Sequence, residues 1–220
     1  MEEELEKKYW ETTTKAGLIK RPPTHPVVEF YCKQRIKFIE KFIDFNSIKS
    51  ALDVGAGTGF NSYYMPKHLS ILNLDFAFHL LKHNLSDNKI QSSGYDLPFA
   101  SNSFDLVYCW NFLHHLENPD KAVHEMARVT NKYLLLIEPN RNNPVQFVFG
   151  ATNKQEHGTL KFTKGKLLQF IDDIGFELIT CNTIGWFFAG PTPETLLPIL
   201  KKLPFTHPFG ISNIIICKKK

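Results

Sequence analysis

Between Ser50 and Glu138 short apolar runs alternate with amphipathic stretches. Ser50–Val54, Ser70–Asp75, Lys89–Gly94, Phe104–Trp110 and Lys132–Glu138 have the length and β-branched or aromatic content of buried strands. The intervening segments Asn61–Lys67, Phe76–Asn84 and Pro119–Val129 have apolar residues at helical spacing. Strand, helix, strand repeated in this way predicts a parallel sheet with right-handed crossovers. Ahead of it, Val28, Tyr31, Phe38, Phe42 and Phe45 form a helical stripe after His25-Pro26, with Lys33, Lys37, Glu40, Lys41 and Asp44 between them. The last third reads as a helix over Lys164–Ile174 followed by two runs, Phe176–Ile184 and Ile211–Lys218, that pair antiparallel.

Composition narrows this to one α/β domain over residues 1–220. A chain of this length fills a single core, and no apolar run reaches the ~18 residues of a membrane span. The Glu-rich stretch Met1–Trp10 lacks the basic-then-apolar order of a secretion signal, so a cytoplasmic setting is expected. Cys32, Cys109, Cys181 and Cys217 are too scattered for a zinc motif or a disulfide framework. The net charge of +4 permits an anionic partner without requiring one.

The densest chemical signal is Leu52-Asp53-Val54-Gly55-Ala56-Gly57-Thr58-Gly59, a strand entering a glycine-rich turn ahead of an expected helix. Such a turn lets a ligand touch main chain, and a helix N-terminus suits a carboxylate. Asp75 ends the second strand, where an acid accepts both hydroxyls of a ribose. Phe60 occupies the position at which a dinucleotide fingerprint requires glycine, which disfavours a pyrophosphate. In Gly94-Tyr95-Asp96-Leu97-Pro98-Phe99, the Asp96 carboxylate and the Leu97 amide are placed to meet an adenine, although Asp96 alone also reads as an ordinary turn aspartate.

In these stretches, together with Leu72–Phe76, Phe104–Leu116 and Ile137–Asn140, the chain resembles the class I methyltransferases that use S-adenosylmethionine (SAM), particularly the group containing ubiquinone and menaquinone methyltransferases. The resemblance implies a Rossmann-like seven-stranded sheet, mostly parallel with an antiparallel last strand and helices on both faces. It implies that Gly55, Gly57 and Gly59 approach the methionine part of SAM, that Asp53 supports its ammonium group, and that Asn111 lies beside it. Asp75 would take the ribose, Asp96 and Leu97 the adenine, and Ala56 and Phe76 would complete the cofactor set.

For the acceptor, His115 is the candidate catalytic residue, as a base or an orienting group, because a histidine takes a proton near neutral pH. A helix-start histidine bonding only to its neighbours is the plainer alternative. Glu138, Asn140 and Arg141 leave the fifth strand at the same edge and are the candidate acceptor contacts, with Glu138 alternatively a loop brace. His79 and His83 have i,i+4 metal-ligand spacing but lack the intervening Glu of HExxH, so no metal is expected. Segments 140–166 and 185–209 should roof the cleft, and the N-terminal segment 1–48 should flank it, with Tyr9, Trp10, Arg21 and His25 closing from that side. The roof carries many aromatics, and Arg141, Lys154, Lys161, Lys164, Lys166, Lys201 and Lys202 outnumber Glu156 and Glu194. That points to a small-molecule or lipid-like, anionic acceptor and to peripheral membrane contact, with aromatics that only cap the core and solvated lysines as the plainer alternative. A nucleic-acid acceptor is disfavoured, because Trp110-Asn111-Phe112-Leu113 stands where base methyltransferases resemble Asn-Pro-Pro-Tyr. RNA or protein methylation, a nicotinamide dehydrogenase and a non-catalytic SAM-binding subunit are the rival readings.

Overall fold

The computed structural model describes residues 21–220. Seven strands form one sheet: β1 (Ser50–Val54), β2 (Ser70–Asp75), β3 (Lys89–Gln91), β4 (Phe104–Trp110), β5 (Thr130–Pro139), β6 (Phe176–Ile184) and β7 (Ser212–Lys219). Their order is β3-β2-β1-β4-β5-β7-β6. The first five are mutually parallel, and β7 runs antiparallel to both β5 and β6. The expected sheet, with its antiparallel last strand, is what the chain forms.

Alternate residues of the central strands enter two different cores, which is why these strands are apolar throughout. Leu52, Val107, Leu134 and Leu136 join one core, with Val123 and Met126 of helix α3 (Pro119–Val129) and Leu167 of α5 (Lys164–Gln169). Ala51, Tyr108, Leu135 and Ile137 join the other, with Ile36 and Ile39 of α1 (Pro26–Ile39). Helices therefore cover both faces. α1 also buries Arg35 completely, its guanidinium 3.5 Å from the centre of the Tyr31 ring and its Nη1 donating to the Tyr31 carbonyl at 3.0 Å.

Several elements are shorter than the sequence pattern predicts. Asn61–Lys67 is not a helix but a single 3-10 turn over Ser62–Tyr64, where Ser62 is drawn into a buried network and Pro66 prevents continuation. The helix expected over Phe76–Asn84 contracts to α2 (Phe78–Lys82), because Asn84 turns back to donate to the Gly57 carbonyl at 2.9 Å. β3 stops at Gln91, and α5 ends at Gln169. α4 (Pro144–Thr152), a long 3-10 stretch over Lys154–Lys161, and α6 (Leu197–Leu200) belong to the roof segments.

β1 has β2 on one side and β4 on the other, so the chain direction of crossovers reverses there. Open α/β sheets bind ligands outside the carboxyl ends of strands at such a point. A cavity of about 390 Å³ lies at this place, lined by residues that follow β1, β2, β4 and β5 and by the roof.

Candidate active site

The turn after β1 is held by main chain. Gly55 and Ala56 both donate to the Leu74 carbonyl at 2.9 Å, which ties the turn to β2. Gly55 has φ +73°, and a Cβ there would stand 2.2 Å from the Phe112 ring, so both conformation and packing require glycine. Only the 3-10 turn over Ser62–Tyr64 follows, so the expected helix N-terminus is absent, and the turn itself, with Gly55, Ala56, Gly57 and Thr58, lines the cavity. Gly57 donates its N–H to Asp75 Oδ2 at 2.8 Å, and Ala77 donates to Oδ1 at 2.8 Å. Burial pushes the Asp75 carboxyl up, and these two amides partly offset the effect. The Phe76 backbone contributes as well, and since a carboxylate has about four acceptor positions, Asp75 keeps acceptor capacity while lining the cavity.

The wall after β4 depends on one buried acid. Glu138, at the end of β5 and fully buried, accepts from the amides of Phe112 at 2.9 Å and Leu113 at 2.8 Å through Oε1. Its Oε2 lies 2.7 Å from His114 Nδ1 and 3.4 Å from the His114 amide. This fixes the 3-10 turn over Leu113–His115. Asn111 opens that turn at φ +57°, a region asparagine tolerates, with its amide on the Ile137 carbonyl at 2.8 Å. On its far side His114 Nε2 stands 3.4 Å from Glu156 Oε2. Burial opposes charge on His114, but Glu138 and then Glu156 outweigh it and push its pKa up to about 9. His115 moves the other way: burial and its charged neighbour lower it well below the usual histidine value, although a hydrogen bond with the Gln155 backbone opposes this.

Residues of both segments, 140–166 and 185–209, reach the cavity. Gln146, Phe149 and Glu156 from one, and Phe188, Ala189, Gly190 and Pro191 from the other, line the cavity. Gly158 makes this approach feasible, since a Cβ there would meet the His114 carbonyl oxygen at 1.7 Å. Asn143 caps α4 through the Gln146 amide and donates to the Phe209 carbonyl at 2.7 Å, joining the two segments. Arg21 donates to the carbonyls of Ala189 at 3.1 Å and Thr192 at 2.6 Å, so it holds the roof rather than a ligand. His25 caps α1 by accepting from the Val27 amide, an ordinary helix-start role. Tyr9 and Trp10 lie outside the described residues.

Of the residues singled out in the sequence, Gly55, Ala56, Gly57, Asp75, Phe76, Asn111 and His115 meet around the cavity. The others do not reach its described wall. Asp53 is buried and accepts from Ser62, whose hydroxyl also meets Asn73 and Tyr108. Gly59 lines a separate hollow with Ser62 and Asn73. Asp96 is exposed, and the Leu97 amide is already taken by Glu125 Oε2 at 2.9 Å. Glu138 is bonded to the turn after β4, as described above, and does not line the described cavity wall. Asn140 donates to the Gly210 carbonyl at 2.8 Å, just beyond the second roof segment, and Arg141 to that of Leu160 at 3.2 Å, within the first, so both are engaged with main chain. The sequence reading missed the pairing of His114 with Glu156; its one trace was an acid within a basic segment. The basic residues of the roof stay off the wall: no Lys or Arg stands among the described lining residues, whose carboxyl groups are Asp75 and Glu156.

Residues 52–135 match the family model described as a methyltransferase domain. Over 84 residues the chain is 40% identical to the demethylmenaquinone methyltransferase of Renibacterium salmoninarum, covering 36% of this chain and 35% of that protein. Its fold is similar to that of a SAM-dependent methyltransferase from Thermotoga maritima, with TM-score 0.72 and 14% identity over the whole of both chains. It is also similar to magnesium protoporphyrin IX methyltransferase from Synechocystis, solved with bound SAH, with TM-score 0.66 and 12% identity over 99% of this chain and 100% of that one. The chain spans half or less of the length of the curated relatives it matches.

Proposed function

We propose that this chain, whose residues 52–135 match a methyltransferase-domain family model, is a class I SAM-dependent methyltransferase that transfers the methyl group of SAM to a small acceptor with an apolar body. The observation that carries the reading is the Asp75 carboxylate, held by two backbone amides at the edge of the cavity beside Gly55, Ala56 and Gly57. Its remaining acceptor capacity suits a ribose diol. Gly57 has open space around the position of a Cβ, with only Leu80 at 3.9 Å, so a ligand has room against the main chain. Asn111 adds a polar side chain, and Phe76 and Leu80 add apolar surface for a flat ring. Asp96 and Leu97 are not part of this fit.

When bound, SAM supplies an activated methyl group and its own leaving group. What remains for the protein is alignment. The strand-end residues hold the cofactor side. Phe149, Phe188, Leu116 and Trp110 enclose the acceptor's apolar part and exclude water, while His115 and Glu156 orient its reactive end. With no lysine or arginine on the described wall, the acceptor's reactive end is a neutral nucleophile with a free lone pair, a hydroxyl or an amine, rather than an anionic group. The matched segment ends at residue 135, before the roof begins, so it supports the cofactor half and leaves acceptor choice to the roof.

A lipid-like acceptor is favoured by one further observation. Val145, Phe147 and Val148 of α4 are exposed beside the wall residue Phe149, a surface suited to the interface of a membrane. No described helix is long and apolar enough to cross one. The four free cysteines fit a reducing, cytoplasmic setting.

Calorimetry with SAM, followed by mass spectrometry of native lipids and small molecules supplied with protein and SAM, tests the proposal. Binding of SAM and a gain of one methylene mass on an acceptor with a neutral hydroxyl or amine is expected. Absence of SAM binding removes the reading, and selective methylation of anionic acceptors removes its account of the roof.

A further inference from the structure

We propose that His114, His115 and Glu156 form a binding site for a divalent first-row transition cation on the acceptor wall of the cavity. The role assigned to the cation rests on the methyltransferase reading; the binding site itself does not. One donor atom from each of the three residues lies within 4.8 Å of the other two, and all three residues line the cavity.

The spacing of the best-defined pair is informative. His114 Nε2 and Glu156 Oε2 are 3.4 Å apart. A charge-assisted hydrogen bond closes to about 2.7–2.9 Å. A tetrahedral cation with bonds of about 2.0–2.1 Å instead spaces its donors at roughly 3.4 Å. The pair is therefore set wider than a good ion pair and at the edge length of a metal polyhedron.

The surroundings are those of a ligating histidine. Glu138 Oε2 contacts His114 Nδ1 at 2.7 Å, which fixes the ring and leaves Nε2 as the cavity-side donor. Glu138 cannot swing inward to ligate, because its other oxygen is committed to the amides of Phe112 and Leu113. His115 is likewise oriented through the Gln155 backbone, next to Glu156 in the chain. Gly158 lets this segment seat directly on the His114 carbonyl, which sets the Glu156 side chain opposite the two rings.

Two imidazoles and one carboxylate suit zinc, cobalt, iron(II) or manganese better than calcium or magnesium, which prefer all-oxygen shells. The cavity beside the three donors leaves coordination positions for a ligand. A neutral hydroxyl or amine of the acceptor, bound there, would be held at the wall opposite the glycine turn.

The test uses the whole chain, stripped with chelator and then titrated with Co²⁺ and with Zn²⁺. One equivalent of Co²⁺ is expected to bind with the visible spectrum of a tetrahedral or five-coordinate N/O site. Glu156→Gln and His115→Ala are each expected to weaken uptake at least about 100-fold, and Glu138→Gln by about 10–100-fold. Circular dichroism on each variant separates loss of fold from loss of site, and Glu156→Gln, at the cavity wall, carries the test if Glu138→Gln does not fold. No stoichiometric uptake, or uptake that Glu156→Gln and His115→Ala leave unchanged, overturns the proposal. SAM binding by the wild type is measured separately: cobalt binding without SAM binding keeps the site and discards the methyltransferase reading, and the reverse result does the opposite.

Discussion

The two sides of the cavity are built in different ways. On the proposed cofactor side, residues that follow β1 and β2 are positioned by main chain bonding to main chain or to one adjacent carboxylate, within about one strand spacing. On the acceptor side, segments far apart in sequence are joined by side chains reaching carbonyls: Asn140 to Gly210, Asn143 to Phe209, Arg21 to Ala189 and Thr192. The first arrangement is fixed as soon as the sheet forms. The second depends on long-range closure, which leaves the roof free to differ in chemistry while the sheet edge stays the same. Glu138 is where the two meet, since it stands in β5 yet sets the turn that carries His114 and His115.

That junction is the place to break the comparison hardest. Glu138→Ala leaves two or three amides and a charged imidazole buried without their acceptor, so a loss of about 3–5 kcal/mol in urea unfolding is expected. A loss below about 1 kcal/mol would mean that the turn after β4 holds itself.

Asp53 tests whether the cofactor side stores electrostatic cost. Burial, only partly offset by the hydrogen bond from Ser62, pushes its carboxyl from 3.8 up to about 7. The folded state therefore keeps a proton that the unfolded chain has released, and stability falls as pH rises from about 4 to 7. The slope from one such group is at most about 1.4 kcal/mol per pH unit. Asp75, also raised, adds to the same trend. Asp53→Asn is expected to flatten the decline and to be more stable than the parent above pH 7, read from unfolding midpoints across that range; an unchanged slope would locate the effect elsewhere.

On the acceptor side, Gly158→Ala forces a methyl group into the His114 carbonyl and must lift the Glu156 segment. A cost of about 1–3 kcal/mol is expected, with SAM affinity retained and acceptor turnover reduced. Asp75→Asn should do the reverse. It weakens SAM binding about tenfold by calorimetry, the worth of a charged hydrogen bond, with a smaller effect on roof closure. If both variants impair SAM binding equally, the two sides are not separate units.

The sheet was legible because its signals are local. Continuous apolar runs such as Leu134–Ile137 face two cores and admit no other reading than buried strands. The position of Asp75 at the strand end, beside the cavity, was legible for the same reason. What escaped the pattern depends on partners distant in sequence. Ser62 leaves its expected helix for a network with Asp53, Asn73 and Tyr108. Arg35 lies on the buried side of α1 beneath Tyr31 and Trp110, where helical spacing alone gives no reason to place an arginine. Glu156 sits among basic residues in sequence, and only the fold of the roof carries it to His114 while the lysines stay away from the cavity.

Asp96 gives the smallest and sharpest of these distinctions. Its turn has the residues expected of an adenine site, yet it is packed against α3: Arg128 donates to the carbonyls of Phe99 at 2.7 Å and Leu97 at 2.9 Å, and Glu125 accepts from the Leu97 amide. The turn is thus bound to a helix on one face of the sheet, and its exposed carboxylate faces solvent rather than the described cavity wall. Asp96→Ala is expected to change SAM affinity less than twofold and stability by no more than about 0.5 kcal/mol, as for other exposed positions. A tenfold loss of affinity would require the turn to leave α3 when SAM binds, and would move adenine recognition from the apolar surface of Phe76 and Leu80 to this carboxylate.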